Sequence, residues 1–205
     1  DAATVNGNAV FNGVVGGTPL EALSVSGTST FNTSSVTTSN AGAGTGNQTY
    51  TGDVTLNQNA TFTANGGGTI AFNGDVTGNS NSFTVNSANG LVTFGDAIGT
   101  DEITGVTTLE ATGPTAINAG TITALLTQDY NNAVAVNEDS TLTAGTNITF
   151  DSTIDADPAG GASLTLKASG TTTFSGTVGA TKALANLTTD APGSTALNGG
   201  AVTTT

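Results

Sequence analysis

The chain has 205 residues, of which 36% are apolar and 8% charged, against about 25% charged in ordinary globular domains. Fifteen carboxylates face two basic side chains, Lys167 and Lys182, giving a net charge of −13, and there is no His, Cys, Met or Trp. This composition excludes imidazole and thiolate catalysis, zinc sites of the usual kind, arginine clamps, and a cationic surface for nucleic acid or an anionic membrane.

Taken in chain order, short alternating runs appear between turn residues. "AVFNGVVG" starts at Ala9 and "STFNTSSVTT" at Ser29, followed by a Gly/Ala-rich insertion over residues 39–46. "DVTL" from Asp53, "ATFTA" from Ala60, "TIAF" from Thr69 and "SFTV" from Ser82 each place an apolar residue at every second position, the period of a strand with one face buried. Thr and Val suit pleated surfaces, and Asn-Gly pairs and "PAGG" at Pro158 mark turns. "ATKALANL", from Ala180, is the best amphipathic helix candidate and is too short. No apolar run approaches the ~20 residues of a membrane span, and the spaced apolar clusters argue against disorder.

The runs repeat. "VTFGDAIG" from Val92 and "TTFSGTVG" from Thr172 match "AVFNGVVG", aligning Phe11, Phe94 and Phe174 at spacings of 83 and 80 residues. "NQTYTGDVTLNQNATFTA" from Asn47 matches "TQDYNNAVAVNEDSTLTA" from Thr127, pairing Tyr50 with Tyr130 and Phe62 with Leu142. "TIAF" matches "NITF", pairing Phe72 with Phe150, and "TGPTAINAGTITA" from Thr112 matches "PGSTALNGGAVTT" from Pro192. The expectation is one continuous array of units of about 80 residues, divided 1–88, 89–168 and 169–205, and cut from a longer chain. These nine aromatic and leucine positions are the expected core.

Strands of four or five residues cannot form a thick core alone, but coil stacked on coil can. A coil of roughly 20 residues makes the unit about four coils and the rod about 50 Å long at a strand spacing of about 4.8 Å. The repeated Phe would then fill the interior once per unit. The fold expected is all-β, a right-handed parallel β-helix. Tandem Ig-like β-sandwiches are the alternative, disfavoured by strand length and the lack of a large aromatic core.

The set "TFSGTVG…ALANLTTDAPGSTALNGGAVTTT", with "GNQTYTGDVTLNQNATFTA", resembles the strand repeats of very large bacterial exoproteins, the filamentous-haemagglutinin-like and autotransporter-like adhesins. The resemblance implies a right-handed parallel β-helix, secretion across the outer membrane of a Gram-negative bacterium, and service as an adhesin, stalk or fibre at the cell surface. It brings no catalytic residues. The chain departs from the pattern in the insertion near Gly42 and around Ile103 in "DEITGVTTLEA".

Acidic residues are the only candidates for chemistry. Asp151, Asp155 and Asp157 in "DSTIDAD" offer oxygens for Ca²⁺ but lack EF-hand spacing, and a solvated acidic turn is the plainer reading. Asp101 with Glu102, and Glu138 with Asp139, are weaker versions of the same idea. A glycosidase is not expected, since paired carboxylates need sugar-stacking aromatics beside them and Tyr50 and Tyr130 are repeat equivalents, not neighbours. No cofactor is expected beyond that Ca²⁺ candidate. "TFT" at Thr61, "TIT" at Thr121, "TLT" at Thr141 and "TTT" at Thr171 raise an ice-binding face, against ordinary outward strand threonine. The function expected is a structural rod or fibre whose open coil edges self-associate, end to end or side by side. The alternative is an adhesin that binds a glycan or host protein through loops such as residues 39–46.

Overall fold

The computed structural model describes residues 1–40, 45–87, 89–96, 101–158 and 160–205. Over these the chain forms 23 β-strands and no helix, and the strand pairs are parallel. Parallel neighbours need a crossover between them. Here the crossover is the rest of one turn, and turns stack about eight high into a β-solenoid. Register partners on adjacent turns lie 19 residues apart at Thr115 and Val134, and 25 apart at Leu23 and Gln48. Parallel pairing excludes the Ig-like sandwich alternative, whose sheets are antiparallel.

Each turn has three sides. The first face holds Ala2–Val5, Ala22–Val25, Gln48–Tyr50, Ile70–Phe72, Val92–Phe94, Thr115–Ile117, Val134–Val136 and Ile154–Ala156. The second begins with Ala9–Phe11, Ser29–Phe31 and Val54–Leu56, and later holds Ser140–Ala144, Ser163–Ala168 and Asn186–Asp190. The third begins with Val15–Leu20, Ser35–Ser39 and Ala60–Asn65, and later holds Ile148–Phe150, Thr171–Phe174 and Ser194–Leu197. Between these, Val76–Asn86, Glu102–Ala111 and Thr121–Tyr130 run round the corner from second face to third, so hydrogen bonding joins those faces into one 15-stranded sheet. Glycine and left-handed residues make two of those corners. Asn79 and Ser80 have φ of 49° and 64°, and Gly105 has φ of 68°.

Alternation sends two side chains inward from each short strand. Ile70 and Phe72, Val92 and Phe94, and Ile148 and Phe150 are all fully buried. Tyr50, Tyr130, Phe62, Leu142 and Phe174 are buried too, and Phe11 in the outermost turn is half-buried against Phe31, ring centroids 4.7 Å apart. Burying each such side chain contributes roughly 1.5–3 kcal/mol. Each turn finds that burial only against its neighbours above and below.

The repeat does not span four turns. From Tyr50 to Tyr130 the chain crosses eleven sides: 54–56, 60–65, 70–72, 76–77, 83–86, 92–94, 102–104, 108–111, 115–117, 121–124 and 127–130. That is three and two-thirds turns. Turn length varies, with 20 residues from Ala2 to Ala22 and from Val134 to Ile154, as expected, but 22 from Gln48 to Ile70 and 27 from Val76 to Ile103. Phe11 therefore lies on the second face, Phe94 on the first and Phe174 on the third. The recurring Phe does not build one interior row; it moves back one face with every copy. About eight turns at a spacing of about 4.8 Å make a stack of about 40 Å, shorter than the sequence expectation.

Candidate functional site

The most specific constellation in the chain is buried and polar. Gln48 and Tyr50 are the inward residues of one three-residue strand, and neither is exposed. Tyr50 Oη donates to Gln48 Oε1 at 2.9 Å, and Gln48 Nε2 donates to the Thr63 carbonyl at 2.8 Å and to Thr38 Oγ1 at 3.2 Å. The next copy repeats the plug. Tyr130 Oη donates to Gln128 Oε1 at 2.9 Å, and Gln128 Nε2 donates to the Thr143 and Ile122 carbonyls at 2.8 and 3.0 Å. Burial pushes both phenols well above the usual tyrosine range, and the neighbouring Asp129 charge adds to this at Tyr130. These phenols stay neutral and act as hydrogen-bond donors, not as acids or bases.

Ladders run along the axis from the plugs. Phe72 and Phe94 stack above Tyr50, with centroids 5.1 and 6.3 Å apart in succession. Phe150 and Phe174 stack above Tyr130 at 5.0 and 5.6 Å. At the corner after the second face, asparagine amides join four turns: Asn32 Nδ2 donates to Asn12 Oδ1, Asn57 to Asn32, and Asn79 to Asn57, at 2.7, 2.8 and 3.2 Å. The following copy has Asn137 donating to Asn118 at 2.6 Å, one face back. The sequence reading assigned these residues no role. Their signal is an Asn directly after the last inward residue of a strand, as in Phe31-Asn32, Leu56-Asn57, Ile117-Asn118 and Val136-Asn137.

Several carboxylates tie one turn to the next. Asp155 Oδ1 accepts the N–H groups of Thr181 and Lys182 at 3.0 and 2.9 Å, and Asp157 Oδ1 meets Lys182 Nζ at 2.6 Å. Asp151 sits apart and exposed at the corner after Phe150, donating its own N–H to the Tyr130 carbonyl. The structure thus brings two of the three Ca²⁺ candidates to one residue, Lys182, Asp155 on its backbone N–H and Asp157 on its ammonium. Among the described residues no three carboxylates gather. Asp101 Oδ2 accepts the Asp96 N–H at 2.9 Å, Glu102 gives its N–H to Asp75 Oδ1 at 2.8 Å, and Asp139 Oδ1 accepts the Ser163 N–H at 2.7 Å.

Outward threonines align in paired rows over successive turns. On the third face Ser35, Thr61 and Thr84 align beside Thr37, Thr63 and Asn86. On the second face Thr121, Thr141 and Thr165 align beside Thr123, Thr143 and Lys167. Thr171 lies elsewhere, on the third face. Of the insertion at 39–46, residues 41–44, Gly42 included, lie outside the described residues. No cavity forms among the described residues, and none of them builds a helix long and apolar enough to cross a membrane. Comparison with known protein families, with curated proteins and with solved structures finds no match.

Proposed function

We propose that the chain is a structural segment of a secreted repeat protein, one stretch of an extracellular rod or fibre at a cell surface. The observation that carries this reading is the direction of the polar contacts. Backbone ladders, asparagine amides and the carboxylate caps of Asp75, Asp139 and Asp155 run along one axis, turn to turn, and no pocket interrupts them among the described residues. Such a stack resists pulling along the axis through many parallel hydrogen bonds. The resemblance to filamentous-haemagglutinin-like repeats supports the same reading. In the isolated chain the strand edges of the first and last turns are free to pair end to end with other copies. Electron microscopy over a concentration series tests it: rods that lengthen with concentration agree, and short particles of one size at every concentration contradict self-association.

The paired Ser/Thr rows favour a second reading, an ice-binding face. The eleven-side register weighs against it, because Ser/Thr fills both outward positions for only two turns before Asn86 or Lys167 interrupts, and the next copy lies on another face. Thermal hysteresis in dilute solution would favour ice binding over the rod.

A further inference from the structure

Four prolines occur, and Pro158 alone follows an aspartate. Proline forms a tertiary amide without an N–H, and its nitrogen accepts a proton and leaves more readily than other peptide nitrogens. We propose that Asp157-Pro158 is a self-cleavage site in acid, and that the solenoid keeps the two pieces together after the cut.

The chemistry needs only water. With its carboxyl protonated, Asp157 attacks its own carbonyl carbon through a side-chain oxygen, closing a five-membered anhydride. The bond from that carbon to the Pro158 nitrogen breaks. The carboxyl proton passes to the nitrogen, which leaves as a secondary amine. Water then opens the anhydride, leaving Asp157 as a C-terminus and Pro158 as an N-terminus.

The site is open to solvent. Asp157 and Pro158 are both exposed, at the corner after the strand Ile154–Ala156. Two charged groups stand beside the Asp157 carboxyl. Lys182 Nζ lies 2.6 Å from its Oδ1, and Asp155, two residues back, holds the Thr181 and Lys182 N–H groups. The preceding turn places the uncharged Asn137 at this register position. Acid that protonates Asp157 also releases it from Lys182. Each of the other aspartates precedes a residue with an ordinary N–H amide.

The cut breaks one covalent link and leaves all three faces paired across it. Ser140–Ala144 pairs with Ser163–Ala168, Ile148–Phe150 with Thr171–Phe174, and Ile154 bridges to Val178. The Phe150 and Phe174 rings stack over the same boundary, centroids 5.6 Å apart. Both new ends are anchored as well. The Asp157 N–H donates to the Val136 carbonyl at 2.9 Å, and the Gly160 N–H to the Ala183 carbonyl at 2.6 Å. This inference stands independently of the rod reading.

The test is to hold the purified full chain at about pH 2.5, below the ordinary aspartate range, and then return it to neutral pH. Denaturing electrophoresis should show two fragments, residues 1–157 and 158–205, the second with Pro158 at its N-terminus. Size exclusion at neutral pH should show one particle eluting with the uncut chain. Asp157→Asn and, separately, Pro158→Ala should each leave the chain intact under the same treatment. No cleavage, equal cleavage at another aspartate, cleavage that survives either substitution, or fragments that separate without denaturant overturns the proposal.

Discussion

Gln48 and Gln128 make the same contacts on different faces of the solenoid. Each accepts a 2.9 Å hydrogen bond from the tyrosine two residues on, and each gives its amide to a carbonyl fifteen residues ahead. The repeat therefore conserves local surroundings while its orientation about the axis changes.

Cutting one plug should cost more than its size suggests. Gln128→Leu leaves the Tyr130 hydroxyl without its acceptor in the core and takes one donor from the Thr143 and Ile122 carbonyls, a loss of about 1–3 kcal/mol from the buried unsatisfied group. Adding Tyr130→Phe removes one orphan. The double variant should then be more stable than the two single losses summed, as measured by urea unfolding.

Alkali should attack the same plugs. Both phenols are raised in the folded state, so they hold their protons while the unfolded chain loses them from about pH 10 upward. Stability is complete below that value and falls as pH rises through it, by about 1.4 kcal/mol per pH unit for each tyrosine. Tyr50→Phe with Tyr130→Phe should flatten the fall, although it lowers stability at neutral pH. Unfolding midpoints on either side of pH 10 check the sign.

Ser29 sits where its register partners are Ala9 and Val54, and its buried hydroxyl has no partner. Ser29→Ala should raise stability by about 1 kcal/mol, because it removes an unpaired polar group without opening much space. A lower thermal midpoint would contradict this.

Trypsin has two lysines to cut. Lys167 lies in a strand paired on both sides, with Thr143 and Asp190, whereas Lys182 sits in a loop held by Asp155 and Asp157. Asp155→Ala frees two backbone N–H groups of that loop and should speed cleavage after Lys182 several-fold, with Lys167 unchanged. The exposed ion pair to Asp157 is worth only about 0–1 kcal/mol, so Asp157→Ala should matter less.

Much of this was legible in the sequence, because alternation and stacking are local. Val92-Thr93-Phe94 reads as inward, outward, inward, and it is so. The recurring runs around Phe11, Phe94 and Phe174 exposed the repeat. Its phase stayed hidden, since the residues needed to turn a corner depend on backbone geometry at places such as Asn79 and Gly105. The fate of Asp155 and Asp157 stayed hidden as well. Their partner Lys182 is 25 residues from Asp157, and only the length of that turn brings it alongside.

Distances between paired spin labels on this cysteine-free chain give the sharpest check of the eleven-side register. Thr49 and Ala135 face outward on the first face with four register steps between them, or about 19 Å, while Asp129 faces outward on the third. With cysteines at 49 and 135, and separately at 49 and 129, the first pair should be closer, although 129 is nearer in sequence. A shorter distance for 49 and 129 would put both on one face, restore the four-turn unit, and overturn the register described above.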